Sequence, residues 1–213
     1  MGIKKLFSEQ DKKNISEAIR QIELSTSGEL VPVVSNKSNN YYFQRLIFSV
    51  FFSYFIAEAL LFIPYFFVKL EFILLIHLAI FLILFSITSL DFVTRRIVTK
   101  KQKYKAVKKQ ALAAFYSNEL YETSDRTGIL IYISLLEKQV VVLGDKGINS
   151  KLHESSWEDV VKIIISGIKS KSIANGLIEG IKACTELLKT HFPIKANDVN
   201  EIKNELIIKE FKG

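Results

Sequence analysis

Cysteine is almost missing from this chain of 213 residues, which carries one, Cys184. One thiol cannot form an intramolecular disulfide, so nothing in the sequence calls for an oxidising compartment. No Gly-x-x-x-x-Gly-Lys, Cys-x-x-Cys or His-Glu-x-x-His pattern occurs, so the commonest phosphate-cradling and zinc-binding motifs are absent. No internal repeat is apparent. The opening MGIKKLFSEQDKKN lacks the apolar core of a signal peptide, and any membrane insertion is expected to rely on internal segments.

Charge is the next scarcity. From Leu46 to Leu90 the charged or imidazole side chains are Glu58, Lys69, Glu71 and His77, and Leu, Ile, Phe, Val, Ala, Ser and Tyr make up almost all the rest. Lys69 and Glu71 divide the run into two apolar blocks, Leu46 to Val68 and Phe72 to Leu90. At about 1.5 Å per residue these blocks reach roughly 34 and 28 Å, against a hydrocarbon core of about 30 Å. Buried helices of soluble proteins rarely pass about 14 residues without a charge. The expectation is therefore a transmembrane helical hairpin over residues 41–97, with spans at 46–68 and 72–90 and a connector, Lys69-Leu70-Glu71, too short to hold a domain.

What remains is about 165 residues, the size of one domain. Residues 1–40 and 98–195 are expected to fold together as its two parts, with 196–213 as a short amphipathic tail. The net charge of +7 is concentrated: Arg95, Arg96, Lys100, Lys101, Lys103, Lys105, Lys108 and Lys109 follow one another with no acid between them. A basic run can mark nucleic-acid binding. Here it begins just after a candidate span, where the positive-inside rule places it on the cytoplasmic side with both termini, in reach of anionic lipid head groups. Lipid bilayer and another membrane protein are the expected partners, ahead of nucleic acid.

Periodicity supplies the remaining elements. Ser8 and Asp11 resemble a capping box before a helix over 9–24, with Ile15, Ala18, Ile19 and Ile22 inward. Glu29 to Val34 reads as a strand, with Pro32 suited to an edge or bulge. Lys101 to Leu120 reads as a helix running on from the second span with little break. Gly128 to Leu135 and Gln139 to Leu143 read as an antiparallel hairpin with a three-residue connection. Helices are expected after Ser156 and Asp159, from about Ile173 to Pro193, and after Asp198 and Glu201, with Trp157 and Cys184 in the core.

Three stretches together, SEQDKKNISEAIRQIELSTSGELVPVV, ETSDRTGILIYISLLEKQVVVLGDKGI and the LLKTHFP that follows the Trp157 helix, resemble the TPM domain (TPM phosphatase) family over about residues 8 to 193, the hairpin excepted. The resemblance implies an α/β sandwich with a small mixed sheet of three or four strands flanked by helices. It also implies a role among those described for the family: acid phosphatase, divalent-metal binder, or assembly factor for membrane complexes. In the commoner family pattern the domain lies outside the cytoplasm and an anchor follows it; here the apolar blocks lie inside the domain.

Candidate chemistry comes from topology. If the first strand runs parallel to the second through a helical crossover, Thr26, Glu29, Asp125, Thr127 and Asp145 gather at one pole. Glu29, Asp125 and Asp145 would offer oxygen ligands to a hard cation such as Ca²⁺ or Mg²⁺, which could in turn hold a phosphate near Thr26 and Thr127; the alternative is that Thr26, Asp125 and Asp145 satisfy backbone groups in turns. Inside the apolar blocks, Glu58 and His77 lie at similar depths, about 16 and 12 Å from Lys69. They are expected either to pair across the hairpin or to be satisfied separately, Glu58 by Ser53, Tyr54 or a second copy. Two functions stay open: a membrane-anchored interaction or assembly factor, and a divalent-metal-dependent phosphatase.

Overall fold

The computed structural model describes residues 3–61, 69–170, 172–195 and 199–211. The chain divides into two compact units, one of residues 1–39 and 103–213, the other of residues 40–102.

The first unit is built on a four-stranded mixed sheet. Helix α1 (Glu9–Glu23) opens with the expected capping box, the Ser8 side chain accepting from the Asp11 amide at 3.1 Å while the Asp11 carboxylate accepts from the Ser8 amide at 2.9 Å. Its buried face is Ile15, Ile19 and Ile22. Strand β1 (Glu29–Ser35) runs parallel to β2 (Gly128–Ser134), which pairs antiparallel with β3 (Gln139–Gly144). The β2–β3 register sets Ser134 opposite Gln139. The connection is therefore four residues, one more than expected, and it turns through Lys138 at φ 51°.

The tail corrects a second expectation. In place of a helix after Glu201, Ile207–Lys209 forms a strand, β4, parallel to β1, giving the order β3-β2-β1-β4. Asp198, the other expected cap, lies outside the described residues. Strand β4 makes β1 a central strand, and this explains how Pro32 is accommodated. The Glu29 amide donates to Thr127 and the Ser35 carbonyl accepts from Leu135, so odd-numbered residues of β1 address β2 and even-numbered ones the other side. Pro32, without an N–H, faces the side where β4 begins pairing only at Val33.

Helices cover both faces. One face packs Leu30, Val34, Ile129, Ile131 and Ile133 against α1, α7 (Glu158–Lys169) and α8 (Ile173–His191), with Trp157 and Cys184 in the same core. On the other face Val31, Val33, Leu130 and Tyr132 meet Val107, Ala111, Ala114 and Phe115 of α5 (Lys100–Ser117). A 3-10 turn, Glu154–Trp157, leads into α7, whose start carries no side-chain cap. The Ser156 and Asp159 caps are therefore not made, and Asp159 instead pairs with Lys162 at 3.0 Å.

The second unit holds α2 (Tyr42–Leu61) and α3 (Leu70–Ile87), which pack together. At about 1.5 Å per residue they measure roughly 30 and 27 Å. The expected first block ends in residues 62–68, outside the described residues. Only 17 % of the most apolar window of α2 is buried, and its Phe51 and Phe55, like Leu74 and Leu75 of α3, are exposed. The second block does not run straight on. Helix α3 ends at Ile87, and α4 (Asp91–Ile97) follows after a 102° bend. Leu90 adopts an extended conformation (ψ 130°), and the Thr94 hydroxyl donates to the Thr88 carbonyl at 2.6 Å, closing the corner. A second extended residue, Val98, separates α4 from α5.

Candidate functional site

The pole formed by the starts of β1 and β2 and the end of β3 takes its shape from tight turns. Thr26 is buried, and its hydroxyl accepts from the Gly28 amide at 3.2 Å. Ser27 donates its amide to the Phe192 carbonyl at 3.1 Å, which seats the end of α8 beside β1. The Thr127 amide donates to the Thr123 hydroxyl at 3.0 Å. Asp145 closes the β2–β3 ladder through its amide, 2.9 Å from the Gly128 carbonyl, and starts the short helix α6 (Lys146–Asn149). Gly147 has to be glycine here, since a Cβ would lie 2.6 Å from the carbonyl oxygens of Asp125 and Arg126.

Parallel pairing of β1 with β2 puts Thr26, Glu29, Asp125, Thr127 and Asp145 in this region, but the three acids are each engaged separately. Asp125 pairs with Lys195 at 2.5 Å, and Asp145 lies 3.8 Å from Arg126. Buried Glu29 accepts from the Glu201 amide at 3.2 Å, a contact made by the tail segment ahead of β4. Among the described residues, no group of three His, Cys, Asp or Glu side chains could hold a metal ion. What the pole does present is a cleft of about 450 Å³ bordered by Asp125, Thr127, Lys151, His191 and Lys195. Lys151 donates to the His191 carbonyl at 2.8 Å, with its ammonium 4.8 Å from the Phe192 ring centre.

Two buried features at other places bear on function. Burial pushes the Cys184 thiol up to about 12, far from the range of a reactive thiolate. At the opposite end of β2, Glu137 is buried and its carboxylate accepts from the Ser38 amide, while the Ser134 hydroxyl donates to it and itself accepts from the Ser38 hydroxyl at 2.8 Å. The sequence signal for this cluster is slight: one acid in the otherwise apolar Leu135-Leu136-Glu137 turn.

Within the helix pair, Arg45 donates to the Phe85 carbonyl at 3.2 Å and its guanidinium lies 4.8 Å over the Phe85 ring, fastening the start of α2 to the end of α3. Tyr54 and His77 bring their rings to 6.1 Å. His77 Nδ1 is 3.0 Å from the Ile73 carbonyl; a carbonyl only accepts, so this nitrogen carries the proton. Glu58 lies one turn beyond Tyr54, and no hydrogen bond joins it to His77 among the described residues. The hairpin register explains the separation: Arg45 meets Phe85 and Tyr54 meets His77, which places Glu58 a turn past the level of His77. Arg95 and Arg96 end α4, and Lys100, Lys101, Lys103 and Lys105 open α5.

Comparison with known proteins agrees with this architecture. Residues 92–187 match the TPM domain. No curated protein matches the chain. The NMR structure of the BA42 protein from the psychrophilic bacterium Bizionia argentinensis is similar in fold, with a TM-score of 0.62 and 20 % identity over 98 % of this chain and 99 % of that one.

Proposed function

This chain carries a TPM domain, and on that premise we propose that it is a membrane-anchored, noncatalytic interaction module that docks on, or helps assemble or maintain, another membrane protein. The observation that carries the reading is the placement of α2 and α3. Helix α2 is long and apolar enough to cross a membrane, α3 is so when taken together with α4 across the bend, both leave large side chains uncovered, and they interrupt a folded unit whose sheet uses chain from before and after them. Exposed apolar surface on this scale calls for lipid or protein cover. An insert that leaves from and returns to one folded unit crosses a bilayer an even number of times, so two crossings fit. The basic residues after α3 favour a cytoplasmic α/β unit and contact with anionic head groups.

Affinity purification of the intact chain from its native membranes in mild detergent should recover a membrane protein reproducibly; repeated recovery of none counts against the reading. The alternative, a divalent-metal-dependent phosphatase, draws on the family resemblance. Because Glu29, Asp125 and Asp145 are engaged with different partners, those acids would have to be rearranged to share a cation. Metal-dependent phosphate release by the intact protein, abolished by Asp145→Ala, would displace the noncatalytic reading.

A further inference from the structure

Helix α5 has two faces of opposite character. Val107, Ala111 and Ala114 are fully covered by the sheet, whereas Lys105, Lys109, Leu112 and Tyr116 are exposed. Those four positions fall at i, i+4, i+7 and i+11, which places them on one stripe of the helix. The helix holds no acidic residue along its length. Lys108, on the flank of the stripe, is neutralised by Glu154 at 2.8 Å, but Lys105 and Lys109 make no ion pair among the described residues. Leu112 and Tyr116 border a hollow of about 640 Å³ whose rim also carries Lys146 and Asp145, the latter 3.8 Å from Arg126. The exposed stripe thus passes from ammonium groups to an aliphatic and an aromatic side chain.

We propose that this face of α5 is a peripheral binding surface for an anionic lipid bilayer, with Lys105, Lys109 and Lys146 on head-group phosphates and Leu112 and Tyr116 at the boundary with the acyl region. The inference rests on the membrane-anchored reading above. Charge complementarity supports this occupant, since a helix that carries cations and no acid of its own favours an anionic leaflet. The pairing of basic with apolar groups on one stripe supports it again. A bilayer interface satisfies both kinds of group, with tyrosine favoured at head-group depth and long lysines reaching for phosphate. Chain continuity adds to both: α5 follows two apolar helices, so anchoring would hold it at high effective concentration near the lipid, where even a weak interaction is occupied.

The test uses the intact chain in nanodiscs of phosphatidylcholine alone or mixed with phosphatidylserine, each with brominated acyl chains. Tyr116→Trp keeps an aromatic group at the stripe, and wild-type Trp157, buried in the core on the opposite face of the sheet, supplies the baseline. Emission from the introduced indole should be quenched in phosphatidylserine discs and much less in phosphatidylcholine discs, and Lys105→Glu with Lys109→Glu should abolish the difference. Equal emission in the two lipids, quenching that survives the charge reversals, or quenching lost on adding an acidic polymer at low concentration would overturn the inference. Co-elution of the protein with discs separates the two claims: a chain that enters discs with a silent indole defeats this inference alone, and a chain that fails to enter them defeats the anchored reading and this inference with it.

Discussion

Ser38 and Glu137, 99 residues apart in sequence, are joined by the Ser38 amide, which donates to both carboxylate oxygens of Glu137 at 3.1 and 3.3 Å. Ser38 follows β1 near the end of the first stretch of the α/β unit, and Ser134 at the end of β2 completes the cluster. The cluster ties the segment after β1 to the end of β2.

Truncating Glu137 should therefore destabilise the α/β unit by more than a surface change would. Glu137→Ala leaves the Ser38 amide and the Ser134 hydroxyl buried without their acceptor, a loss of about 1–3 kcal/mol for each orphaned group. Glu137→Gln keeps one acceptor oxygen and should lose less. Thermal unfolding of the intact protein in detergent gives the ranking; equal stability of wild type and Glu137→Ala would remove the structural role.

Helices α7 and α8 touch through glycine. A Cβ on Gly176 would stand 2.6 Å from the Gly167 Cα, a separation that real side chains do not reach. In an exposed helix Gly→Ala gains up to about 1 kcal/mol from propensity. Here overpacking should win, for a net loss of about 1–3 kcal/mol. Denaturation followed by Trp157 emission, which reports on the same core, should show Gly176→Ala unfolding earlier; an unchanged or later midpoint would mean that the helices separate freely.

The start of α1 should be acid-sensitive. Hydrogen bonds from the Ser8 hydroxyl and amide hold the Asp11 carboxyl below its ordinary 3.8. A carboxyl depressed in the folded state contributes stability that is fully present above the unfolded value and lost as pH falls through the folded one. The stability gap between wild type and Asp11→Asn should be constant at neutral pH and should narrow below about pH 3.8. Unfolding curves across that range that show a pH-independent gap would contradict the capping-box account.

Periodicity carried far in this sequence where an element buries one face at a regular interval. The α1 stripe, the β1 to β3 strands and the inner face of α5 were all legible, because burial by a neighbouring layer imposes the period directly. Strand β4 was not. Val199, Ile202 and Leu206 imitate a helical spacing, and the preference that decides the matter, pairing of Ile207–Lys209 with the open side of β1, is non-local. The bend after Ile87 was hidden for a similar reason: Thr88, Ser89 and Leu90 carry no Pro or Gly, and the corner is closed by the Thr94 hydroxyl. Parallel pairing of β1 with β2 was legible, and it brings Glu29 and Gly128 to the same end of the sheet. The cations that engage Asp125 and Asp145 come from Lys195 and Arg126, and only the folded loops reveal those pairs.

The orientation of the helix pair is the central claim, and Lys69 tests it most directly. Lys69 immediately precedes α3 and is exposed, while Cys184 is fully buried and its thiol is pushed up to about 12, so the native cysteine supplies little background. The measurement is reaction of Lys69→Cys with a membrane-impermeant thiol reagent on intact cells. Labelling of intact cells is the predicted result, with Lys69 outside and both termini and the α/β unit in the cytoplasm. Labelling that appears only after lysis would contradict it.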